Sequence, residues 1–420
     1  MELMEKILHR DNLNEAYRRV YMNKGASGVD GVTVDELLEY HREHIAELLE
    51  SIRARRYKPQ PVRRVEIPKP DEGVRLLGIP TVVDRVIMQA TSQVLIPIYE
   101  KKFSDRSYGF RPGKSAQQAI EQSRKYINEG YTWTVDIDLE KYFDTVNQDK
   151  LMRIISQDVK DGRVISLIRK FLKSGVMING VVIETEEGFA QGGNISPLLS
   201  NIMLHELDVV LEKRGLRFCR YADDCNIYVK SRKAAERVMK GITRFIEGDL
   251  KLKVNRNKST VDRPWKLKFL GFSFYYNANK GEYRIRVHQK SIARFKAKLK
   301  KLTGRSNGMG MDFRLKELKQ AIQGWVNYFR IADMKSLVEN LDGWLRRRVR
   351  MVVWKMWKRV RTRFKNLQKL GLDKAKAWEF ANTRKGYWRV SGSPILSTTV
   401  TNKALGKRGL VSISAIYSKR

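Results

Sequence analysis

The sequence predicts an α+β fold that gives way to a basic helical region, and three observations carry the prediction. Along the first 285 or so residues, stretches with apolar residues at helical spacing alternate with short runs of period-two alternation. Two of those runs, residues 133–137 and 218–229, read as strands, the second with a tight turn inside it. After about residue 285 proline disappears for a hundred residues, and helical stretches rich in Lys, Arg and Trp take over.

Taken in order, Leu3, Met4, Ile7 and Leu8, then Leu13, Ala16, Tyr17, Val20 and Tyr21, fall at helical spacings, with Asp11 or Asn12 as the cap of the second group. Residues 23–31 hold three glycines in nine and form a loop. Residues 62–70 alternate as a strand, and 75–80 answer it across an Asp71-Glu72-Gly73 turn, which makes a basic hairpin. Helical spacing returns from Asp84 to Ile98, Ser107 to Gly113 is a loop, and another helix follows. Trp133, Val135 and Ile137 then alternate with Thr134, Asp136 and Asp138 in a half-buried strand. The sequence shows no internal repeat.

Charge narrows the function. With 420 residues, a net charge of +37 and a pI near 10.1, the chain points to a polyanionic partner. No apolar run approaches the roughly 18 residues of a spanning helix. The basic residues are spread over the whole chain, so nucleic acid fits better than a membrane surface. Acids at Glu2 and Glu5, where a signal peptide would be basic, predict an intracellular, cytoplasmic protein. Only Cys219 and Cys225 are present, which argues against a disulfide framework or a structural zinc. The length predicts two or more domains. Between residues 341 and 370 eleven basic side chains, Arg346, Arg347 and Arg350 among them, face a single acid, Asp342. A solvated helix face is the plain alternative, but such an imbalance is costly unless phosphates screen it.

The chemistry concentrates at Asp223-Asp224, two adjacent carboxylates between strand-prone flanks. Neighbouring carboxylates repel, so their pairing calls for a divalent cation, although Asp also favours turns on its own account. Two-metal phosphoryl transfer needs a further carboxylate from a neighbouring strand. Asp136 and Asp138 share one strand face, and the pattern does not choose between them.

Tyr221-Ala222-Asp223-Asp224 resembles the polymerase box of reverse transcriptases, and Asp138 with Phe143 five residues on resembles that family's other metal-binding segment. Further blocks follow in the family's order: the hairpin at 62–80, Ser107 to Gly113, Gln191 to Pro197, Leu252 to Asn255 with Lys258, and Phe269 to Phe272. The glycine loop at 23–31, Gly324-Trp325-Val326-Asn327-Tyr328-Phe329, and Ala381 to Gly386 are similar to bacterial group II intron reverse transcriptase/maturase proteins of the compact group IIC type, which lack a nuclease domain.

The resemblance implies a right-hand polymerase: an amino-terminal extension (1–34), fingers and palm with an antiparallel sheet (35–282), a helical thumb (283–362) and a small basic carboxyl-terminal domain (363–420). It implies RNA-templated DNA synthesis with two Mg2+ ions, for which Mn2+ can substitute. Asp138, Asp223 and Asp224 would hold them with the Leu139 carbonyl, leaving Asp136 structural. Lys69, Arg75, Phe143, Gln191 and Lys258 would serve the nucleotide, Phe143 as the gate against a ribose 2′-hydroxyl. Arg63, Arg111, Arg346, Arg347, Arg350, Arg384 and Lys385 would meet template or RNA. The partners implied are the intron RNA, an RNA template with a DNA primer, target DNA and dNTPs, with no membrane, and a homodimer is compatible. Rival readings are a splicing factor whose polymerase has decayed, against which the three intact acids speak, and a polymerase serving repair or defence. Two departures stand out: Ala190 where relatives carry Pro before the glutamine, and Gln148 where they often carry His. The first puts the turn that positions Gln191 in question.

Overall fold

The computed structural model describes residues 2–68 and 73–419, so Lys69 and the hairpin tip lie outside the described residues. The architecture is α+β, and the chain divides into two units, Met1–Pro264 and Trp265–Arg420.

The first unit opens with helices α1 (Leu3–Ile7), α2 (Arg10–Asn23) and α3 (Leu37–Arg53). The expected cap of α2 is corrected. Its cap is His9, whose side chain accepts from the Asp11 amide, so the helix starts before either acid or amide considered for that role. Strands β1 (Val62–Pro68) and β2 (Val74–Ile79) form the basic hairpin, and α4 (Val82–Glu100) follows. Thr81 caps α4 by accepting from the Asp84 amide while its own hydroxyl donates to the Asp84 carboxylate at 2.6 Å. Next come α5 (Ala116–Asn128), β3 (Trp133–Ile137), α6 (Tyr142–Thr145), α7 (Gln148–Asp158) and α8 (Gly162–Leu172). Two very short strands, β4 (Val176–Ile178) and β5 (Val181–Ile183), precede α9 (Ser196–Lys213), β6 (Arg217–Tyr221), β7 (Asp224–Val229), α10 (Arg232–Gly248) and β8 (Thr260–Asp262).

Two four-stranded sheets organise this unit, one in the order β2-β1-β4-β5 and one in the order β6-β7-β3-β8. The second is antiparallel throughout, with β3 and β7 inside, which is why Val135, Ile137, Cys225 and Ile227 are almost fully buried. Helices α4 and α9 are apolar around most of their circumference and fill the core, whereas α10 is amphipathic and lays its apolar stripe on β3.

The second unit begins with the hairpin β9 (Phe272–Asn277) and β10 (Glu282–Val287), then α11 (Gln289–Leu302), α12 (Met311–Phe329) and α13 (Lys335–Met356), and continues in short helices over residues 360–418. The lone acid of the basic stretch is buried there. Both oxygens of Asp342 accept hydrogen bonds from residues 412–414, the Ile413 amide at 2.8 Å and the Ser412 hydroxyl at 2.7 Å among them. The last helix is thereby clamped to α13.

Candidate active site

The acid pair sits where β6 turns into β7. Tyr221 pairs with Asp224, so Ala222 and Asp223 are the two residues of the turn. Ala222 has φ +55°, the sign a type II′ turn demands at its first central position, where glycine is usual. Such a backbone persists only when its surroundings hold it.

A buried ion pair does the holding. Arg220, on β6, donates to both oxygens of Asp208 on α9 at 2.7 and 2.6 Å, and both side chains are 0% exposed. One guanidinium nitrogen also donates to the Ala222 carbonyl at 2.9 Å and to Asn201 Oδ1 at 3.1 Å. Burial alone would pull the Arg220 guanidinium down, but the Asp208 carboxylate holds it above its ordinary value, so it stays charged. Asn201 in turn donates to the Gly109 carbonyl. Gly109 is required by contact: a Cβ there would stand 2.2 Å from the Ala222 nitrogen. The loop 107–113 is thus pressed against the turn, joined also by the Tyr108 amide donating to the Arg220 carbonyl.

Asp138 reaches the same place from β3. The last β3–β7 pair is Ile137 with Cys225, so Asp138 directly follows that pair on one strand and Asp224 directly precedes it on the other. One step earlier, Asp136 accepts from the Asn226 amide group at 2.8 Å. The strand end is pinned by residues 253–259: the Asp138 amide donates to Ser259 Oγ, the Asn255 amide to the Asp138 carbonyl, and the Glu140 amide to the Lys253 carbonyl. Those bonds flank the pair Leu139–Val254, so the Leu139 carbonyl points away from Val254. Lys258 is exposed on the loop that does the pinning.

Among the described residues, no three His, Cys, Asp or Glu side chains are gathered tightly enough to hold a metal ion. The donor chemistry nevertheless fits one. Carboxylates and a backbone carbonyl are the hard oxygen ligands that Mg2+ takes.

A cavity of about 260 Å3 collects Phe143, Gln191 and Ala190 with Arg64, Leu76 and Lys141. Phe143 is half-buried, edge-on to Tyr142 and to Phe189, and its carbonyl accepts from the Phe189 amide. Gln191 docks on β2 through its carbonyl, which accepts from Gly78, and at Gly192 (φ +123°) a Cβ would stand 2.8 Å from the Gly78 oxygen. The turn holds without a proline, because the Ala190 carbonyl accepts from the Ser196 hydroxyl at 2.7 Å. Gln148 compensates for the other departure by donating to the carbonyls of Leu172 and Gly188 at 3.0 and 2.9 Å.

The structure does not gather every expected residue. Register puts Arg63 and Arg75 on one face of the β1–β2 hairpin and Arg64 on the other, so Arg64 is the hairpin arginine that lines the Phe143 cavity, 3.7 Å from Asp144. Strand alternation from Val62 was the available signal for it. Arg75 is exposed and Arg63 half-buried. Arg111 is buried, its guanidinium bound to Glu100 and to the carbonyls of Ser104 and Ser107, a brace for its own loop with little surface for a template. In the second unit Arg347 lies 4.1 Å over the Trp388 ring, Arg350 donates to the Val400 carbonyl and Asn402, and Arg346 is 3.4 Å from Asp342. Arg384 and Lys385 are exposed. Sequence reasoning missed Arg220, Asp208 and Asn201 altogether.

Residues 67–274 match the family described as reverse transcriptase (RNA-dependent DNA polymerase), and residues 292–371 match the group II intron maturase-specific domain. The chain is 34% identical over 299 residues to Protein YkfC of Escherichia coli, an alignment covering 62% of this chain and 78% of that one. It is 38% identical over 219 residues to the group II intron-encoded protein LtrA of Lactococcus lactis, covering 52% of this chain but 36% of LtrA. A solved partial Cas6-RT-Cas1–Cas2 complex superposes loosely, with a TM-score of 0.38 and 22% identity over 59% of this chain and 43% of that one. No described helix is long and apolar enough to cross a membrane.

Proposed function

Since this chain belongs to the group II intron-encoded proteins, with a reverse transcriptase domain followed by a maturase-specific one, we propose that it is an RNA-directed DNA polymerase that also binds its intron RNA to promote splicing. The observation that supports the reading is the Ile137–Cys225 pair, which Asp138 follows and Asp224 precedes, next to a turn whose Ala222 carbonyl is held by a fully buried arginine. Asp138, Asp223 and Asp224, with the Leu139 carbonyl, would hold two Mg2+ ions, or Mn2+ in their place. Bound there, divalent cations supply the Lewis acidity that lowers the pKa of a primer 3′-hydroxyl and offsets triphosphate charge.

The chain's own residues do the rest. Arg220 and Asp208 keep the turn rigid, so the carboxylates meet the reacting phosphate without reorganising. Phe143, braced by Tyr142 and Phe189, excludes a ribose 2′-hydroxyl and so selects dNTPs. Gln191 borders the same cavity at the sugar, and Arg64 adds positive charge to it. Lys69 and Arg75 hold phosphates from the hairpin, Lys258 offsets charge on departing pyrophosphate, and Arg63 meets the template. Arg111 is a brace and not a contact. Arg384 and Lys385, being exposed, are the better placed of the carboxyl-terminal cations for RNA or target DNA, ahead of Arg346, Arg347 and Arg350. The chain then copies intron RNA into DNA from a target-strand primer.

The test is extension of a DNA primer on an RNA template by the purified chain, with and without Mg2+, beside splicing of the RNA that copurifies with it. Mg2+-dependent DNA product and protein-dependent splicing are the expected results. Absence of product on a template that a known reverse transcriptase copies rejects the polymerase reading, and splicing unaffected by the protein rejects the maturase reading.

A further inference from the structure

The second unit contains a cavity that the polymerase reading leaves without a role. It holds about 540 Å3, within the roughly 300–1,000 Å3 typical of ligand sites. The loop before β9 and helices α11 and α12 form its walls. Lys268, Arg294 and Lys298 line it together with Phe295, Trp325 and Tyr328, and no carboxylate is among its described lining residues.

Two details mark it as more than a packing gap. The indole Nε1 of Trp325 is buried and has no hydrogen-bond partner among the described residues. An unmet buried donor costs roughly 1–3 kcal/mol, which an acceptor entering from outside would relieve. Stacking on Phe295 at 4.3 Å and 6° accounts for the ring but leaves the Nε1 donor unmet. Beside it, Gly324 lies inside α12 with nothing within 4 Å of where a Cβ would stand. A mid-helix glycine costs about 1 kcal/mol relative to alanine, and neither backbone angle nor crowding within this chain demands one here. Close approach of a ligand to the helix backbone is a reason a glycine is kept at such a position.

We propose that this cavity binds one unpaired nucleotide of a nucleic-acid strand. Its base would enter against the aromatic side chains and give an acceptor to Trp325 Nε1, and its phosphate would meet Lys268, Arg294 and Lys298. Aromatic surface with cations and one fixed donor is the composition single-strand sites use. The inference rests on the nucleic-acid partner of the reading above but not on its chemistry.

The experiment measures equilibrium binding of the full chain to three labelled probes of equal length: single-stranded RNA, single-stranded DNA, and an abasic phosphodiester strand. Trp325→Phe keeps the ring and removes the donor. It should weaken a base-bearing strand about fivefold to tenfold while leaving the abasic strand within about twofold. Lys298 is exposed, so Lys298→Gln is a second variant that does not endanger folding. It should weaken all strands and lower the salt slope by roughly 0.7, one phosphate contact. A Trp325 effect confined to RNA assigns the site to template or intron, and one confined to DNA assigns it to primer or target. Equal losses on abasic and base-bearing strands, or none on either, overturn the proposal, as does an unchanged salt slope for Lys298→Gln. Repeating the measurement in an Asp223→Ala, Asp224→Ala chain separates failure of this site from failure of the polymerase reading, since the Trp325 effect should persist there.

Discussion

Asp208→Asn removes one charge from behind the acid-bearing turn and leaves its shape nearly unchanged. Arg220 would then be a 0% exposed guanidinium without a counter-charge, although it keeps the Asn201 and Ala222 oxygens as acceptors. Stripping one partner from a buried pair costs roughly 3–5 kcal/mol. At roughly 2–4 °C per kcal/mol for a unit of this size, the melting temperature of the first unit should fall by about 6–20 °C in calorimetry. The paired change Arg220→Met with Asp208→Leu should recover most of that loss, because apolar residues can replace a buried ion pair at little or no cost. Primer extension should not recover with it, since the Ala222 carbonyl has lost its donor and the turn its support. If Asp208→Asn melts within about 2 °C of the parent, well under the smallest drop the pair's burial implies, the pair does not anchor the turn. If the doubly substituted chain extends primers at the parental rate, anchoring the turn is not what Arg220 is for.

Four other outcomes follow from the same geometry. Phe143→Ala should raise the ratio of kcat/KM for ribonucleotides over deoxynucleotides by about tenfold or more, one tenfold step being roughly 1.4 kcal/mol of lost discrimination; an unchanged ratio removes the gate. Gly109→Ala puts a methyl 2.2 Å from the Ala222 nitrogen, so extension should collapse and stability should fall by at least the roughly 1–3 kcal/mol of ordinary overpacking; full activity would show that the loop does not press on the turn. Gln148→Leu takes the donor from the Gly188 carbonyl, while the Leu172 carbonyl keeps the Thr185 hydroxyl, a loss of about 1–3 kcal/mol visible in thermal melts. Burial pushes the Asp342 carboxyl up, but the Ser412, Ile413 and Ser414 donors outweigh it and hold the carboxyl below its ordinary value. Its contribution is therefore fully present above the unfolded value of about 3.9 and lost as pH falls through the lower folded one. Asp342→Asn should destabilise the second unit by roughly 1.5–3 kcal/mol at neutral pH and flatten its acid unfolding below about pH 4.

What the sequence made legible was local. β3 and the β6–β7 pair announce themselves because Trp133, Val135 and Ile137 alternate with polar residues, and because two acids interrupt an apolar run. β4 and β5 do not, being three residues each with no polar alternation, and the parallel pairing of β1 with β4 spans more than a hundred residues that no local pattern reports. The same limit applies at the site. Asp138, Asp223 and Asp224 stand out by type and spacing, whereas Arg220 looks like any strand residue until α9 folds Asp208 against it. Arg75 and Arg64 occupy opposite faces of the hairpin, a matter of register and not of composition. Asp342 was visible as the lone acid in a basic stretch, yet its partners lie some seventy residues away, so charge counting weighed only solvent and phosphates against the imbalance. Part of it is met inside the chain, by the Trp388 ring under Arg347 and the carbonyl beneath Arg350.

The most direct test of the catalytic claim is single-turnover extension of a DNA primer on an RNA template by the chain carrying Asp223→Ala with Asp224→Ala, with RNA affinity measured on the same preparation. Extension should fall by at least about a thousandfold, the scale lost when a group acting in the transition state is removed, while RNA affinity stays within about twofold. Extension at the parental rate would contradict the assignment of those carboxylates.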